Sequence, residues 1–79
     1  MEVLLNRIEL NPEILAGKPV IKGTRLSVQF ILGLLAHGET PKSIIEEYNY
    51  ITEEDVRACL LFANEVLENN FFTPMELPK

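Results

Sequence analysis

Residues 17–28 read Gly-Lys-Pro-Val-Ile-Lys-Gly-Thr-Arg-Leu-Ser-Val. This stretch carries three cations, Lys18, Lys22 and Arg25, and contains no acidic side chain. The β-branched pair Val20-Ile21 is bounded by turn residues on both sides, which is typical of a short strand. The segment therefore predicts a strand and a tight turn that lead directly into whatever element follows.

A helix is predicted next, over residues 28–37. Ser27 is a preferred N-cap residue, and Gly38 is a preferred residue just beyond a helix C-terminus. This helix is apolar around about two-thirds of its circumference. We therefore expect it either at the centre of the fold or in contact with a second chain. Thr40-Pro41 then opens a second helix, which we expect to end at residue 48.

A third helix is predicted over residues 52–69. Thr52 is its N-cap, and Asp55 follows three residues later as in a capping box. The second and third helices have the spacing of a helix-turn-helix. The predicted apolar stripe of the third helix consists of Val56, Cys59, Leu60, Phe62, Ala63, Val66 and Leu67.

Upstream of the opening segment, residues 4–10 alternate around Ile8 and Leu10 and predict a second strand. The two strands can pair as an antiparallel ribbon, and such a ribbon must pack on something because two strands alone are barely stable. The predicted fold is mainly α: a three-helix bundle with a short N-terminal two-stranded β-ribbon. We divide the chain into one domain, residues 1–69, and a tail, residues 70–79.

Composition excludes several classes of protein. A chain of 79 residues has a marginal core, so support from a second chain is expected. One cysteine, Cys59, and one histidine, His37, leave no plausible zinc site, and we predict no metal, no cofactor and no enzymatic activity. No apolar run approaches the ~20 residues that cross a bilayer, and no signal peptide is recognisable, so we expect a cytoplasmic protein.

Charge is unevenly distributed along an acidic chain. The net charge is −5, yet residues 16–30 hold +3 and residues 39–79 hold −6. Lys18, Lys22 and Arg25 are therefore candidates for contacts to DNA phosphates. The alternative is a surface hairpin in which the lysines guard a strand edge.

The third helix has a weaker claim to bind DNA. Arg57 is the one cation near its start, and Glu53, Glu54 and Asp55 would repel phosphates. The helix is thus either a recognition helix that uses Arg57 or an architectural element. In both cases the ribbon is the better candidate for the DNA contact.

Protein contact is indicated by two further features. Leu61 falls on the polar side of the third helix, so we expect something to cover it. The tail is unusually apolar for a solvated terminus. Either it binds a partner or it folds back on the helices of its own chain. Its candidate anchors are Phe71, Phe72, Met75 and Leu77.

The opening segment also resembles a known family. Its spacing to Gly38-Glu39-Thr40, to residues 44–48 and to residues 52–58 is similar to that of the family called domain of unknown function four-three-three. The similarity covers roughly residues 6–65. It implies a homeodomain-like helix-turn-helix behind a β-ribbon, and a VapB-type antitoxin paired with a PIN-like ribonuclease. Family members commonly have proline after the residue equivalent to Tyr48, where this chain has Asn49-Tyr50, a departure that we expect to alter only the turn.

Two hypotheses for function follow. In the first, the protein is a dimeric antitoxin of a type II toxin–antitoxin system. Its tail anchors and Leu61 bind a PIN-like toxin, and Lys18, Lys22, Arg25 and Arg57 bind operator DNA. In the second, it is a non-enzymatic protein-interaction module that does not bind DNA, as the acidic balance of the chain and the acidic start of the third helix favour.

Overall fold

The computed structural model of the protein describes residues 2–69. This part of the chain is mainly helical, with four α-helices and one two-stranded antiparallel sheet. The tail anchors Phe71, Phe72, Met75 and Leu77 lie outside the described residues. In chain order the elements are α1 (Glu2–Leu5), β1 (Ile8–Leu10), a 3-10 turn (Leu15–Gly17), β2 (Pro19–Ile21), α2 (Val28–Ala36), α3 (Pro41–Glu47) and α4 (Glu53–Asn69).

The N-terminal strand is shorter than predicted, and a helix takes the place of its first part. The backbone N–H groups of Asn6 and Arg7 donate to the carbonyls of Val3 and Leu4 at 3.2 and 3.0 Å, which closes the α1 turn. α1 packs against α4. The strand prediction was therefore wrong for residues 4–7, because this tertiary contact outweighs a weak alternation of apolar residues.

The predicted antiparallel ribbon is confirmed. Ile8 lies opposite Ile21, and Leu10 lies opposite Pro19. Val20 and Ile21 are buried, although each strand has only three residues. β2 packs on α2, and β1 packs on α4, so the helices supply the support that an isolated ribbon lacks.

The helix ends also agree with prediction to within one residue. The Oγ of Ser27 accepts a hydrogen bond from the N–H of Phe30 at 2.9 Å. Thr40 and Ser43 form a reciprocal capping box, in which each hydroxyl accepts from the backbone N–H of the other residue. At the end of α2, Gly38 has a φ of +102°, which reverses the chain.

The core is formed where the ribbon and three helices meet. α2 contributes Val28 and Ile31, and α3 contributes Ile44. The remaining buried members of the cluster are Ile21, Ile51, Val56 and Cys59. α4 therefore supplies core residues from its first half, and the other elements pack around that half.

The predicted apolar stripe of α4 was wrong for three residues. Leu60 and Leu67 are seven residues apart, share one side of the helix and are exposed, as is Val66. Leu61, which was expected to need a cover, is half-buried. The difference arises because the elements within residues 2–69 leave these positions of the 17-residue helix uncovered, as is common in a small chain.

Strained backbone precedes β2. Leu15 and Ala16 have φ values of +50° and +58°, in the left-handed region that side chains with a Cβ rarely adopt. Such residues cost about 1–3 kcal/mol each and persist where the surrounding structure holds them. Here the N–H groups of Gly17 and Lys18 donate to the carbonyls of Ile14 and Leu15.

No helix among residues 2–69 is long and apolar enough to span a bilayer.

Two glycine-to-alanine substitutions are expected to change stability in opposite directions. A Cβ at Gly33, inside α2, would meet no atom within 4 Å. Gly33→Ala should raise the free energy of unfolding by about 0.5–1 kcal/mol, because alanine favours the helix. Gly38→Ala should lower it by about 1 kcal/mol, because of the positive φ. Urea titration measures the free energy of unfolding of both variants. A loss of stability in Gly33→Ala would contradict the packing described for α2.

Candidate functional site

Arg7 joins the N-terminal segment to two carboxylates at the start of α4. The guanidinium of Arg7 donates to Oδ1 of Asp55 and to Oε1 of Glu54, each at 3.0 Å. Oδ2 of Asp55 accepts from the N–H of Thr52 at 2.9 Å, and Oγ1 of Thr52 accepts from the N–H of Asp55. The predicted capping box is thus confirmed, and the same buried carboxylate also forms an ion pair.

Sequence reasoning missed the role of Arg7. A usable signal was present, since Arg7 is the sole cation among the first seventeen residues, and the chain has an acidic triad at residues 53–55. Spacing along the sequence does not reveal this pairing, because 48 positions separate Arg7 from Asp55. The positive charge of Arg7 thus lies against two of the three acidic side chains at the start of α4 and offsets part of their negative charge.

Residues 22–25, which we call the basic turn, are held rigidly between β2 and α2. Oγ1 of Thr24 donates to the carbonyl of Ile21 at 2.8 Å and accepts from the N–H of Leu26 at 3.0 Å. The N–H of Lys22 donates to the carbonyl of Arg7 at 2.7 Å. The turn therefore presents two exposed cations, Lys22 and Arg25, from a fixed backbone.

The four predicted DNA-binding cations do not form one cluster. All four are exposed, and Lys18 and Lys22 flank the two ends of β2. Lys22 lines a shallow depression together with Arg7 and Asp55. Arg57 follows Asp55 by two residues, which turns it about 200° around α4. Arg57 therefore lies on the opposite side of that helix from Asp55 and the depression next to Lys22.

An apolar groove lies between α2 and the C-terminal half of α4, and we call it the helix groove. Its most exposed large apolar side chain is Leu67, of which 71% is accessible to solvent. Carbon atoms make up most of its surface, and no charged side chain lines it. The lining residues are Pro19, Val28, Gln29, Leu32, Phe62, Ala63, Val66 and Leu67.

A second apolar depression lies on the other flank of α4, against β1, and we call it the ribbon hollow. It shares Phe62 and Val66 with the helix groove. Leu10 stands at its edge with 65% of its surface exposed. The lining residues are Leu5, Ile8, Leu10, Phe62, Glu65, Val66 and Asn69. The two depressions together leave the C-terminal half of α4 with apolar surface on both flanks.

Cys59 and His37 are the two side chains in the described part of the chain whose reactivity we consider, and both make contacts within the fold. Burial, and then the negative charge of Asp55, raises the pKa of the Cys59 thiol to about 12, so the thiol stays protonated at neutral pH. Nδ1 of His37 lies 2.7 Å from the carbonyl of Gly33, at the end of α2. Within residues 2–69, no three His, Cys, Asp or Glu side chains gather as a metal site would require.

Comparison with known proteins places the chain in a family. The family model described as protein of unknown function (DUF433) matches residues 8–63. The chain belongs to the DUF433 family. This result confirms the resemblance read from the sequence. The protein is also similar to a crystal structure of a DUF433 member protein from Anabaena variabilis ATCC 29413, with a TM-score of 0.75 and 25% sequence identity.

The match to the Anabaena protein covers 85% of this chain and 66% of that one, so this chain spans slightly less than two thirds of its length. None of the curated proteins searched matches the chain. Family membership therefore supports the fold and carries no assigned activity, and any function must be argued from the surfaces described above.

The Arg7–Asp55 pair is expected to matter more to stability than the Arg7–Glu54 pair. Arg7→Ala should lower the free energy of unfolding by about 2 kcal/mol, because it leaves the buried Asp55 carboxylate without its charged partner. Glu54→Ala should change it by less than about 1 kcal/mol, since Glu54 is largely exposed. Urea unfolding of the two variants measures the difference, and equal losses would contradict this assignment.

Proposed function

We propose that this DUF433 protein is the antitoxin of a type II toxin–antitoxin pair, a non-enzymatic cytoplasmic protein that binds a PIN-like ribonuclease. The observation that carries the proposal is the apolar surface on both flanks of the C-terminal half of α4. The family resemblance supplies the identity of the partner. The homeodomain-like arrangement of α2, α3 and α4 belongs to the same proposal.

The helix groove has the character of a protein-binding surface. A contiguous apolar groove between two helices has the form of a site that a segment of another chain can enter. The charge-free lining of the groove matches the depletion of charged residues at the centre of protein interfaces. Leu67 is a candidate anchor for a partner, because it lines the groove and most of its side chain is exposed to solvent. An apolar helix or strand of the toxin suits such a groove.

The tail supports the same reading through its composition. Residues 70–79 follow directly after Asn69, which itself lines the ribbon hollow. Their predicted anchors are Phe71, Phe72, Met75 and Leu77. A toxin that bound the tail would therefore contact a surface continuous with the exposed flanks of α4, and the half-buried Leu61 would contribute less than we expected from the sequence.

DNA binding forms a separate part of the proposal and has its own support. The basic turn presents Lys22 and Arg25 from a fixed backbone, and Lys18 lies at the other end of β2. A homodimer would double this patch of cations, which gives an acidic protein a local site for phosphates. The ion pair of Arg7 with Glu54 and Asp55 reduces the repulsion that these acids would otherwise exert.

The second candidate is a protein-interaction module that does not bind DNA. Two observations favour it. Arg57 lies on the side of α4 away from the depression that Lys22 lines, so these two cations face different directions. Exposed leucines, Leu60 and Leu67, also share one side of α4, whereas a recognition helix presents polar side chains to DNA bases.

Toxin binding is expected to depend on Leu67. The full chain, wild type or Leu67→Glu, is co-expressed with the proposed partner, a PIN-like ribonuclease from the same operon, and the complex is purified by a tag on the ribonuclease. Leu67→Glu should weaken binding at least tenfold and restore ribonuclease activity, because a carboxylate in an apolar interface loses its hydration. Asn49→Glu adds the same charge at an exposed position outside the groove and should bind as wild type.

Two outcomes of this experiment would contradict the proposal. If the wild-type chain neither binds nor inhibits the ribonuclease, the antitoxin assignment is wrong. If Leu67→Glu binds as tightly as Asn49→Glu, the helix groove is not the toxin-binding surface.

Operator binding is expected to depend on the basic turn. The affinity of the full chain for DNA from its own promoter is measured over a range of salt concentrations. The variant Lys22→Ala/Arg25→Ala should reduce the slope of log K against log salt by about 2 for each bound protomer. Lys42→Ala removes an exposed cation from α3 and should leave the slope unchanged. Equal slopes in all three proteins would show that the basic turn does not contact DNA, and no measurable binding by the wild type would favour the module that does not bind DNA.

A further inference from the structure

We propose that the protein forms a homodimer in which the outer face of α4 packs against the same face of a second copy, with the two helices antiparallel. This face, which we call the leucine face, is defined by Arg57, Leu60, Asn64, Leu67 and Glu68. The inference assigns the surface that joins two copies, which the proposed function leaves open, and it holds whether or not the chain binds a toxin or DNA.

The leucine face is a continuous stripe along α4. Its members follow one another at spacings of three, four, three and one residues, so they lie within about 100° of the helix circumference. All five are exposed, which means that no element within residues 2–69 covers them. Leu60 has 47% of its surface exposed and Leu67 has 71%, although leucine is among the residues most often buried.

The spacing along this stripe is that of a seam between two helices. Arg57, Leu60, Asn64 and Leu67 alternate at three and four residues, as the inward positions of paired helices do. Burial of the two leucines against a second copy would remove exposed apolar surface from water. A single asparagine between apolar residues fixes the register of such seams at some cost in stability. The pattern therefore indicates that the partner segment is itself a helix.

The two charges on the leucine face determine the orientation of the second copy. Arg57 is the single cation of α4, and Glu68 follows it by eleven residues, about 16 Å along the helix axis. They are too far apart to pair within one chain, and neither forms an ion pair with another described residue. Parallel helices would bring like charges together, whereas antiparallel helices place Arg57 of each copy near Glu68 of the other. The face is therefore complementary to itself in the antiparallel orientation.

A two-fold axis near Asn64 brings the whole leucine face into contact with its counterpart. Leu60 lies four residues before Asn64 and Leu67 three residues after it, so the axis places Leu60 of one copy beside Leu67 of the other. The two Asn64 side chains meet at the axis, where each amide offers both a donor and an acceptor. Most homodimers have this isologous arrangement, in which one patch contacts the same patch of the second copy.

A second copy on this face is compatible with the other surfaces of the molecule. The leucine face includes no residue of the basic turn. The helix groove lies on the flank of α4 that faces α2, and it shares only Leu67 with the leucine face. One helix per copy is expected to bury less than the ~800 Å² per partner that is typical of stable complexes. We therefore expect a dimer that dissociates on dilution.

Sedimentation equilibrium of the full chain, over a range of protein concentrations, tests this inference. The wild type should show an equilibrium between monomer and dimer. Leu60→Glu should raise the dissociation constant by about tenfold or more, because it places a carboxylate in the apolar part of the interface. Asn49→Glu adds the same charge at an exposed position outside the leucine face and should dimerise as the wild type does.

Charge reversal tests the antiparallel orientation. Arg57→Glu and Glu68→Arg should each weaken the dimer, because each places like charges opposite one another at both ends of the interface. The double variant Arg57→Glu/Glu68→Arg restores the opposite charges and should recover much of the lost affinity. Lys42→Glu reverses an exposed charge on α3 and should leave the dissociation constant unchanged.

Each of three results would overturn the inference: a wild type that stays monomeric at every concentration, a Leu60→Glu variant that dimerises as tightly as Asn49→Glu, or a double variant that dimerises no more tightly than its two single variants. Circular dichroism of each variant distinguishes a loss of association from a loss of folding. The chain is measured without a toxin or DNA, so a failure of the dimer inference and a failure of the antitoxin proposal are distinguishable.

Discussion

The packing of the β-ribbon against α2 and α4 is the interaction on which the rest of this structure depends. Two strands of three residues cannot hold together alone, yet Val20 and Ile21 are buried because helices cover them. The Arg7–Asp55 ion pair connects the segment before β1 to the start of α4, and the carboxylate of Asp55 also caps α4. The ribbon in turn fixes the basic turn, since the N–H of Lys22 donates to the carbonyl of Arg7. One junction therefore sets the position of the cations and of α4.

The same junction explains why apolar surface is left over. Core residues of α4 come from its first half, where the ribbon, α2 and α3 converge. Its second half continues to Asn69 with apolar residues on both flanks, and the elements within residues 2–69 leave both flanks partly exposed. Incomplete coverage of this kind is expected of a small chain, which buries a smaller fraction of its surface than a large one. The proposed partner protein would cover the flank that forms the helix groove.

The sequence predicted what local chemistry determines. Ser27, Thr40 and Thr52 cap helices as expected, and Gly38 reverses the chain after α2. Contacts between residues distant in sequence were not predictable, namely the pairing of Arg7 with Asp55 and the packing of α1 on α4. The left-handed backbone at Leu15 and Ala16 was not predictable either, because residues with a Cβ rarely adopt it. The candidate site could be predicted from the sequence only in part. Exposure of Lys22 and Arg25 followed from the sequence, whereas the exposed side of α4 depends on which flank its neighbours cover.

The measurement that tests the central claim most directly is amide hydrogen exchange of the full chain, alone and saturated with the proposed partner, a PIN-like ribonuclease. The account predicts new protection at the C-terminal half of α4 and at residues 29–33 of α2, around the helix groove, with the basic turn, residues 22–25, unchanged. Protection confined to residues 22–25, or the same exchange in both samples, would contradict the assignment of the apolar surface of α4 as the site of partner binding.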